Sequence, residues 1–521
     1  MPVPSALWCT LPILAVWILS TQLVGGASEP KGSENCYDFD YDHATVDSIQ
    51  KALAEKQCAT CEELIEGFIR RIDRTDGSIN AMITVDRINA LRAARALDDK
   101  SKIATGKRGR LHCVPLIVKD NIFVAGMACS DGTLTFANMV AQKDNSAVAR
   151  LKREGAVVLG KANMATGAQI GSFTRSENKG LTGNAYGTDY TTYGSSGGNA
   201  AAGAAVYSVL NFGTDTFGSG MLPPSASNLF ALRPTFGTLL PNDLTFIVMG
   251  PQDMIVPFAW RAKDLAHTFE ALNSGADGRT FTTDSVLNAQ GLEGLKLHVV
   301  QLKRLHDNFI QELRSGGAIV DFAKTNTTEL IEQATEMFGA STGLAGCMAN
   351  YLDSFLAQAA TSATGVPVRT TQEMVEKGLG GGLQQPYNIS LNLRGTCAQG
   401  EKSFKEVQKK FIRETVQPLL RDVDALITMT TFDFPPTNKR MEAFELPPNQ
   451  VFPLILTSLA GYPSVNIPMG FSEPRANAPQ GLPVGAMLIG NMNQEETLLK
   501  IAYAYDTNFS KRKGIARQGD Y

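Results

Sequence analysis

A serine hydroxyl becomes a nucleophile only when a neighbour takes its proton, which singles out serines that stand beside a base. Two glycine-bounded stretches present such serines: Gly194-Ser195-Ser196-Gly197-Gly198, and Gly218-Ser219 at the end of Gly213-Thr214-Asp215-Thr216-Phe217. One available base is Lys119, which follows directly on the apolar run Val114 to Val118. It stands at the end of an expected strand, where loops commonly carry function and where a lysine is partly buried. Lysine titrates near about 10.4 in water, so burial must lower its pKa by roughly three units before it serves at neutral pH. Histidine is the other base, and Gly194-x-Ser196-x-Gly198 fits the nucleophile-elbow spacing of Ser-His-Asp hydrolases, with Ser196 as nucleophile. The five histidines, His43, His112, His267, His298 and His306, sit in no triad motif and read as structural residues.

These residues need a rigid frame. Thr60 to Ile72 has the pattern of an amphipathic helix: Thr60 and Glu63 form a capping box, and Leu64, Ile65, Phe68, Ile69 and Ile72 make one stripe. Short apolar runs without alternation recur at Val114 to Val118, Ala156 to Gly160, Leu297 to Val300, Ala425 to Met429 and Ala486 to Ile489, as in strands buried on both faces. Helical patterns lie between several of them, so the chain is expected to form one large α/β/α sandwich with a mixed central sheet. The stretch Gly171 to Pro224 is rich in Gly, Ser, Thr and Asn, yet it contains the small-residue helix Ala200 to Ala205 and the apolar run Val209 to Phe212. It reads as a site-building core rather than a linker. Gly378 to Gly382 lacks such flanks and reads as a mobile loop.

With 521 residues, 43% hydrophobic and 19% charged, the chain has ample material for a core. A formal net charge of -3 gives no basic footprint for nucleic acid or anionic lipid, which leaves a small molecule as the expected partner. The apolar run Leu11 to Leu19 leads to Gly25-Gly26-Ala27, the pattern of a secretory signal peptide cleaved after residue 27. The run is shorter than the roughly 20 residues of a spanning helix, so stable membrane insertion is not expected. The mature chain is then one domain, residues 28–521, exported to the secretory pathway or the extracellular space. Export suits the glycosylation sequons at Asn326, Asn388 and Asn508. Of the eight cysteines, Cys9 leaves with the leader, and the odd number that remains leaves at least one thiol free. Cys58-x-x-Cys61 lacks further ligands for zinc, and a disulfide from Cys36 to one of the two is expected.

Several segments together resemble the amidase-signature family. Lys119-Asp120-Asn121 with Val124-Ala125-Gly126 is similar to its lysine motif, and Tyr193-Gly194-Ser195-Ser196-Gly197-Gly198 to its glycine-serine motif. Gly213-Thr214-Asp215-Thr216 with Gly218-Ser219 resembles its nucleophile loop, and Leu232-Arg233-Pro234-Thr235-Phe236-Gly237 the strand that follows. Leu459-Ala460-Gly461-Tyr462-Pro463 and Gly481-Leu482-Pro483-Val484-Gly485 resemble its C-terminal landmarks, so the likeness runs from about Asp47 to Tyr505. The resemblance implies hydrolysis of a C–N amide bond through an acyl-enzyme, with no metal or organic cofactor. Ser219 is then the nucleophile, Ser195 a bridging serine in a cis peptide, and Lys119 the ultimate base. The backbone N–H groups of Thr216, Phe217 and Gly218, together with Ser195, surround the oxyanion and substrate.

The chain departs from the family at Phe217, Gly220 and Met221, where Gly-Gly-Ser-Ile-Arg is usual, and at Asn199. A positive φ at Phe217 would strain the loop. Without the arginine, an acidic substrate group is not expected beside Met221, and Phe217, Met221, Leu222, Phe246 and Met249 point to an uncharged, partly hydrophobic ligand. Three readings stand: an active secreted amidase, a secreted amidase-like pseudoenzyme that binds a ligand or partner, and a Ser-His-Asp hydrolase using Ser196. A glutamine-amidotransferase component for tRNA charging is disfavoured by the leader.

Overall fold

The computed structural model describes Cys36 and residues 39–99, 109–169, 173–238, 243–246, 250–273, 280–300, 307–323, 327–431, 434–442 and 452–509. The leader, Asn326 and Met249 lie outside the described residues.

The apolar runs become strands. We label the main-sheet strands β1 (Met82–Val85), β2 (Pro115–Lys119), β3 (Val157–Ala162), β4 (Leu210–Asp215), β5 (Phe230–Arg233) and β6 (Met254–Ala259). They continue as β7 (Lys296–Val299), β8 (Ile319–Phe322), β9 (Ala425–Met429), β10 (Ser464–Phe471) and β11 (Pro483–Ile489). The eleven form one sheet in the order β1-β3-β2-β4-β6-β5-β10-β11-β9-β7-β8. β3, β2 and β4 run parallel, as do β9, β7 and β8, and antiparallel pairs join the two groups. The sheet is therefore mixed, and the fold is α/β.

Every residue of β2, β3 and β4 is buried, the pattern of strands covered on both faces. The helices include α1 (Cys61–Ile79), α2 (Gly197–Ala204), α3 (Thr327–Thr342), α4 (Met348–Ser362), α5 (Gln384–Leu393) and α6 (Glu495–Phe509), of which α2 packs on β2 and β4 and α6 on β10. In α1 the apolar stripe is buried, and the Thr60 side chain caps the Glu63 N–H. The expected reciprocal bond differs by one residue, because the Glu63 carboxylate accepts from Ala59 N. α2 is built mostly from alanine and glycine and approaches its neighbours closely: a Cβ at Gly198 would run into Asn163 O, and Asn199 Nδ2 donates to Ile117 O at 3.4 Å, which holds the helix on β2.

A second apolar cluster caps the C-terminal ends of β2 and β4. It includes Phe123, Phe136, Phe246, Leu352, Phe355, Leu383 and Tyr387, and so joins α4 and α5 to the loop after β2. The glycine run at 378–382 belongs to this cap: Gly382 N donates to Glu177 Oε1 at 2.7 Å and Gly380 N to Gln384 Oε1 at 2.8 Å. Phe246, expected as a ligand contact, instead stacks on Phe355 and Phe136 inside the cluster.

Among the described residues, three disulfides, Cys36–Cys58, Cys61–Cys113 and Cys347–Cys397, leave Cys129 as the free, buried thiol. The CxxC pair is thus divided between two bridges. Among the described residues, no helix is long and apolar enough to cross a membrane.

Candidate active site

β2 ends at Lys119 and its parallel neighbour β4 ends at Asp215, with Val118 paired to Phe212. The loops leaving both strands therefore share one edge of the sheet, the position where open α/β sheets place their ligands. Lys119 is fully buried, and its Nζ lies 2.7 Å from Ser195 Oγ and 2.8 Å from Thr214 Oγ1. Asn121 Nδ2 donates to the same Thr214 oxygen at 3.2 Å. Burial pulls the Lys119 pKa down from 10.5 to about 7, against the carboxyls of Asp131, Asp215 and Asp253, which act to raise it. Lys161, equally buried, has different surroundings: its Nζ donates to the carbonyls of Asp120, Ile122 and Ala128. Carbonyl oxygens accept only, so that lysine is a structural cross-link, whereas the hydroxyl partners of Lys119 can also exchange protons.

Ser195 stands just ahead of α2. The Gly194–Ser195 peptide is cis, Ala165 N donates to Ser195 O at 3.1 Å, and Thr174 Oγ1 donates to Tyr193 O while accepting from Gly197 N. The next residue, Ser196, is turned to other work: its Oγ donates to Thr214 O at 3.0 Å and accepts from Thr214 N at 3.2 Å. The elbow reading requires a histidine at Ser196, and His43 and His267 are engaged instead with Asp40 and with Asp47 and Thr283.

Ser219 is buried in the loop that leaves β4. Asp215 shapes that loop. One of its oxygens accepts from Gly220 N at 2.7 Å; the other accepts from Arg233 Nε at 2.8 Å and Ser458 Oγ at 2.9 Å. Arg233, fully buried, also donates to Thr457 O and Gln252 O, so the ion pair welds β4, β5 and the segment before β10 together. Among the described residues no hydrogen bond takes up the N–H groups of Phe217, Gly218 or Ser219, while Gly218 O accepts from Met221 N and Leu222 N. Unused N–H groups beside the nucleophile are what an oxyanion site requires.

The unusual loop residues have physical counterparts. The positive φ of this loop is carried by Gly218, at φ +89°, and Phe217 is not among the positive-φ residues, so the strain such a φ would bring does not arise. A side chain at Gly220 would meet Val256 at 2.8 Å and Asp215 Cβ at 2.9 Å, which explains the glycine. Met221 is fully buried, and Phe217 stacks on Phe338 of α3 with ring centroids 5.4 Å apart. Of the remaining candidates, Thr216 is buried at the end of β4, and Asn388 and Asn508 are exposed on α5 and α6. Sequence reading missed Thr214 as a partner of Lys119, Asn121 as a second donor to Thr214, and Asp131 as a nearby carboxyl. Thr214 and Asn121 lie within the motifs that located Lys119 and Ser219, which was the available signal; Asp131 lies beyond them.

The family model described as Amidase matches residues 63–499, and the chain belongs to that family. It is 27% identical to the A component of the glutamyl-tRNA(Gln) amidotransferase of Alkaliphilus metalliredigens, over 91% of this chain and 98% of that protein. The corresponding protein of Symbiobacterium thermophilum is 29% identical over 85% and 92%. Among solved structures, the native peptide amidase of Stenotrophomonas maltophilia superposes with a TM-score of 0.74 at 25% identity, covering 92% of this chain and all of that one. An amidase family protein from Bacillus anthracis gives 0.75 at 26%, covering 92% and 93%. Both the family and these neighbours make the chain a hydrolase of C–N amide bonds.

Proposed function

We propose that this amidase works through Ser219, Ser195 and Lys119 and is exported from the cell as one catalytic domain, residues 28–521. The observation that carries the catalytic reading is the 2.7 Å approach of a fully buried Lys119 to Ser195 Oγ, with burial holding that lysine near neutrality.

Ser219 Oγ attacks the amide carbonyl carbon while its proton passes to Ser195 Oγ, whose own proton moves to the lone pair of neutral Lys119. The carbonyl oxygen, now negative, is received by the N–H groups of Phe217, Gly218 and Ser219. Collapse breaks the C–N bond; Lys119 returns the proton through Ser195 to the departing nitrogen, leaving an acyl ester on Ser219. Water then repeats the sequence in place of Ser219 and frees the acid. The substrate is a small amide. A role on tRNA would rest on the relatives' names alone, and the net charge of -3 gives no support for it.

Export is supported by six cysteines drawn into three disulfides, bonds that persist in oxidising compartments. Sequencing the N-terminus of protein collected from the medium tests this: a start at Ser28 supports it, and retention of Met1 in the cell contradicts it. For the catalytic reading, Ser219→Ala, Lys119→Ala and Ser196→Ala are compared on a panel of amides. The first two are expected to lose about 10³-fold or more and Ser196→Ala much less. Loss confined to Ser196→Ala favours the elbow, and inactivity of the folded parent favours a binding protein.

A further inference from the structure

The turn that follows Lys119 carries a carboxyl the mechanism does not use. Asp120 Oδ2 pins this turn by accepting from Ser130 N at 3.0 Å and Gly132 N at 3.2 Å. Asp131, held between them, is 3% exposed, and its Oδ1 is buried with no hydrogen-bond partner among the described residues. Asp120 adjoins Lys119, so these bonds bring Asp131 near the base; after burial, which dominates both groups, the Asp131 carboxyl acts to raise the Lys119 pKa and Lys119 acts to lower that of Asp131.

Asn121 and Gln252 there also carry buried side-chain polar atoms without a hydrogen-bond partner among the described residues. Asn121 reaches Thr214 with its Nδ2 and leaves Oδ1 buried without a donor. Asp253 precedes β6, whose Met254 pairs with Asp215, so it flanks the nucleophile loop, and it too acts on Lys119. The neighbouring Gln252 is 3% exposed with neither side-chain polar atom partnered. Tyr387, buried in the cap, has its pKa pushed up first by burial and further by Asp131 and Asp253.

The Asp120 carboxyl lies 3.8 Å from the buried Lys161 Nζ. Asp215 has Arg233 as its partner, Met221 supplies no cation, and Lys119 must be neutral to act as a base. A buried carboxyl in such a place either holds a proton or takes a cation from outside the protein. Burial pushes the Asp131 carboxyl well above the usual carboxylate range, which favours its protonated form.

Resting on the amidase reading, we propose that the site takes amides carrying a positively charged group, an alkylammonium or guanidinium, which Asp131 Oδ1 and Asn121 Oδ1 receive. The proton on Asp131 leaves to solvent as the cation enters, so charge inside the site stays balanced. The apolar contacts expected from the sequence are compatible with this ligand, because an aliphatic stem joins the cation to the amide. Phe217 and its stacking partner Phe338, which is 38% exposed, give such a stem an aromatic wall.

The test measures labelling of Ser219 by a fluorophosphonate in the presence of n-butylammonium, 1-butanol or butyrate. Butylammonium is expected to slow labelling at a concentration at least tenfold lower than butanol, with butyrate weakest. In Asp131→Asn the advantage of the cation over the alcohol is expected to fall to within threefold. Butanol matching or exceeding butylammonium in the parent overturns the proposal, as does a cation preference undiminished in Asp131→Asn. Should that variant not fold, the parent's order of competitors still decides. Absence of Ser219 labelling in the folded parent overturns the amidase reading beneath it, a result distinct from labelling without charge preference.

Discussion

Lys119 Nζ and Thr214 Oγ1 stand 2.8 Å apart at the ends of two parallel strands, and Asn121 Nδ2 donates to the same oxygen. A hydroxyl oxygen has two lone pairs. With Lys119 and Asn121 occupying both, the Thr214 proton is directed away from the lysine, and the lone pair of neutral Lys119 is left for Ser195. Thr214 and Asn121 are therefore positioning residues for the base. Thr214→Val, which keeps the shape and removes the acceptor, is expected to lower kcat/KM by about 10²-fold. Its pH profile should shift as well; an unshifted profile with reduced activity would assign Thr214 a merely structural part.

The base must be neutral to accept a proton. With Lys119 near 7, kcat/KM is expected to fall below about pH 7 and to reach a plateau above it, with a single-proton slope on the acid side. A profile still rising one decade per pH unit at pH 9 would place the working lysine in its solvent range.

Burying this lysine costs stability. Its folded pKa lies below its unfolded value, so between about pH 7 and 10.4 the unfolded chain holds the extra proton, and stability contributed by this group rises with pH across that window. Lys119→Met removes the cost. The variant is expected to be inactive and yet more stable at pH 7 by a few kcal/mol, the gain shrinking towards pH 10. Denaturant unfolding of both proteins at the two pH values measures it, and a less stable variant at pH 7 would contradict it.

The Arg233–Asp215 pair presents the opposite case, because each charge is fully buried and each needs the other. Arg233→Met leaves Asp215 without its cation and is expected to destabilise the fold by about 3–5 kcal/mol. It should also release the Gly220 end of the nucleophile loop, so activity at low temperature, where the variant stays folded, is expected to fall too.

Much of this arrangement was legible in the sequence, for identifiable reasons. Strands such as β2 and β9 are buried on both faces, so their apolar runs stand out without alternation, and the Thr60 cap marks its helix by local chemistry. Lys119, Ser195 and Ser219 are held in glycine-rich or strand-end motifs whose order survives in the chain. The pairing of the last strands was not legible, since β10 and β11 insert between β5 and β9 through contacts distant in sequence. The role of Gly378 to Gly382 was hidden for a similar reason: its partner Glu177 lies some 200 positions earlier. Whether Phe217 needs a positive φ was not legible, because backbone torsions in a short loop depend on its surroundings; the structure puts the positive φ at Gly218. Asp131 resembles any turn aspartate until burial and the nearness of Lys119 are known.

The central claim is that Ser219 is a nucleophile activated through Ser195 by Lys119. Treating the folded, mature protein with a fluorophosphonate and locating the adduct by peptide mass spectrometry tests this directly, with Ser219→Ala and Lys119→Ala treated alongside. A single adduct on Ser219, absent from the first variant and strongly reduced in the second, is the predicted result. An adduct on Ser196, or no adduct on folded protein, would contradict it.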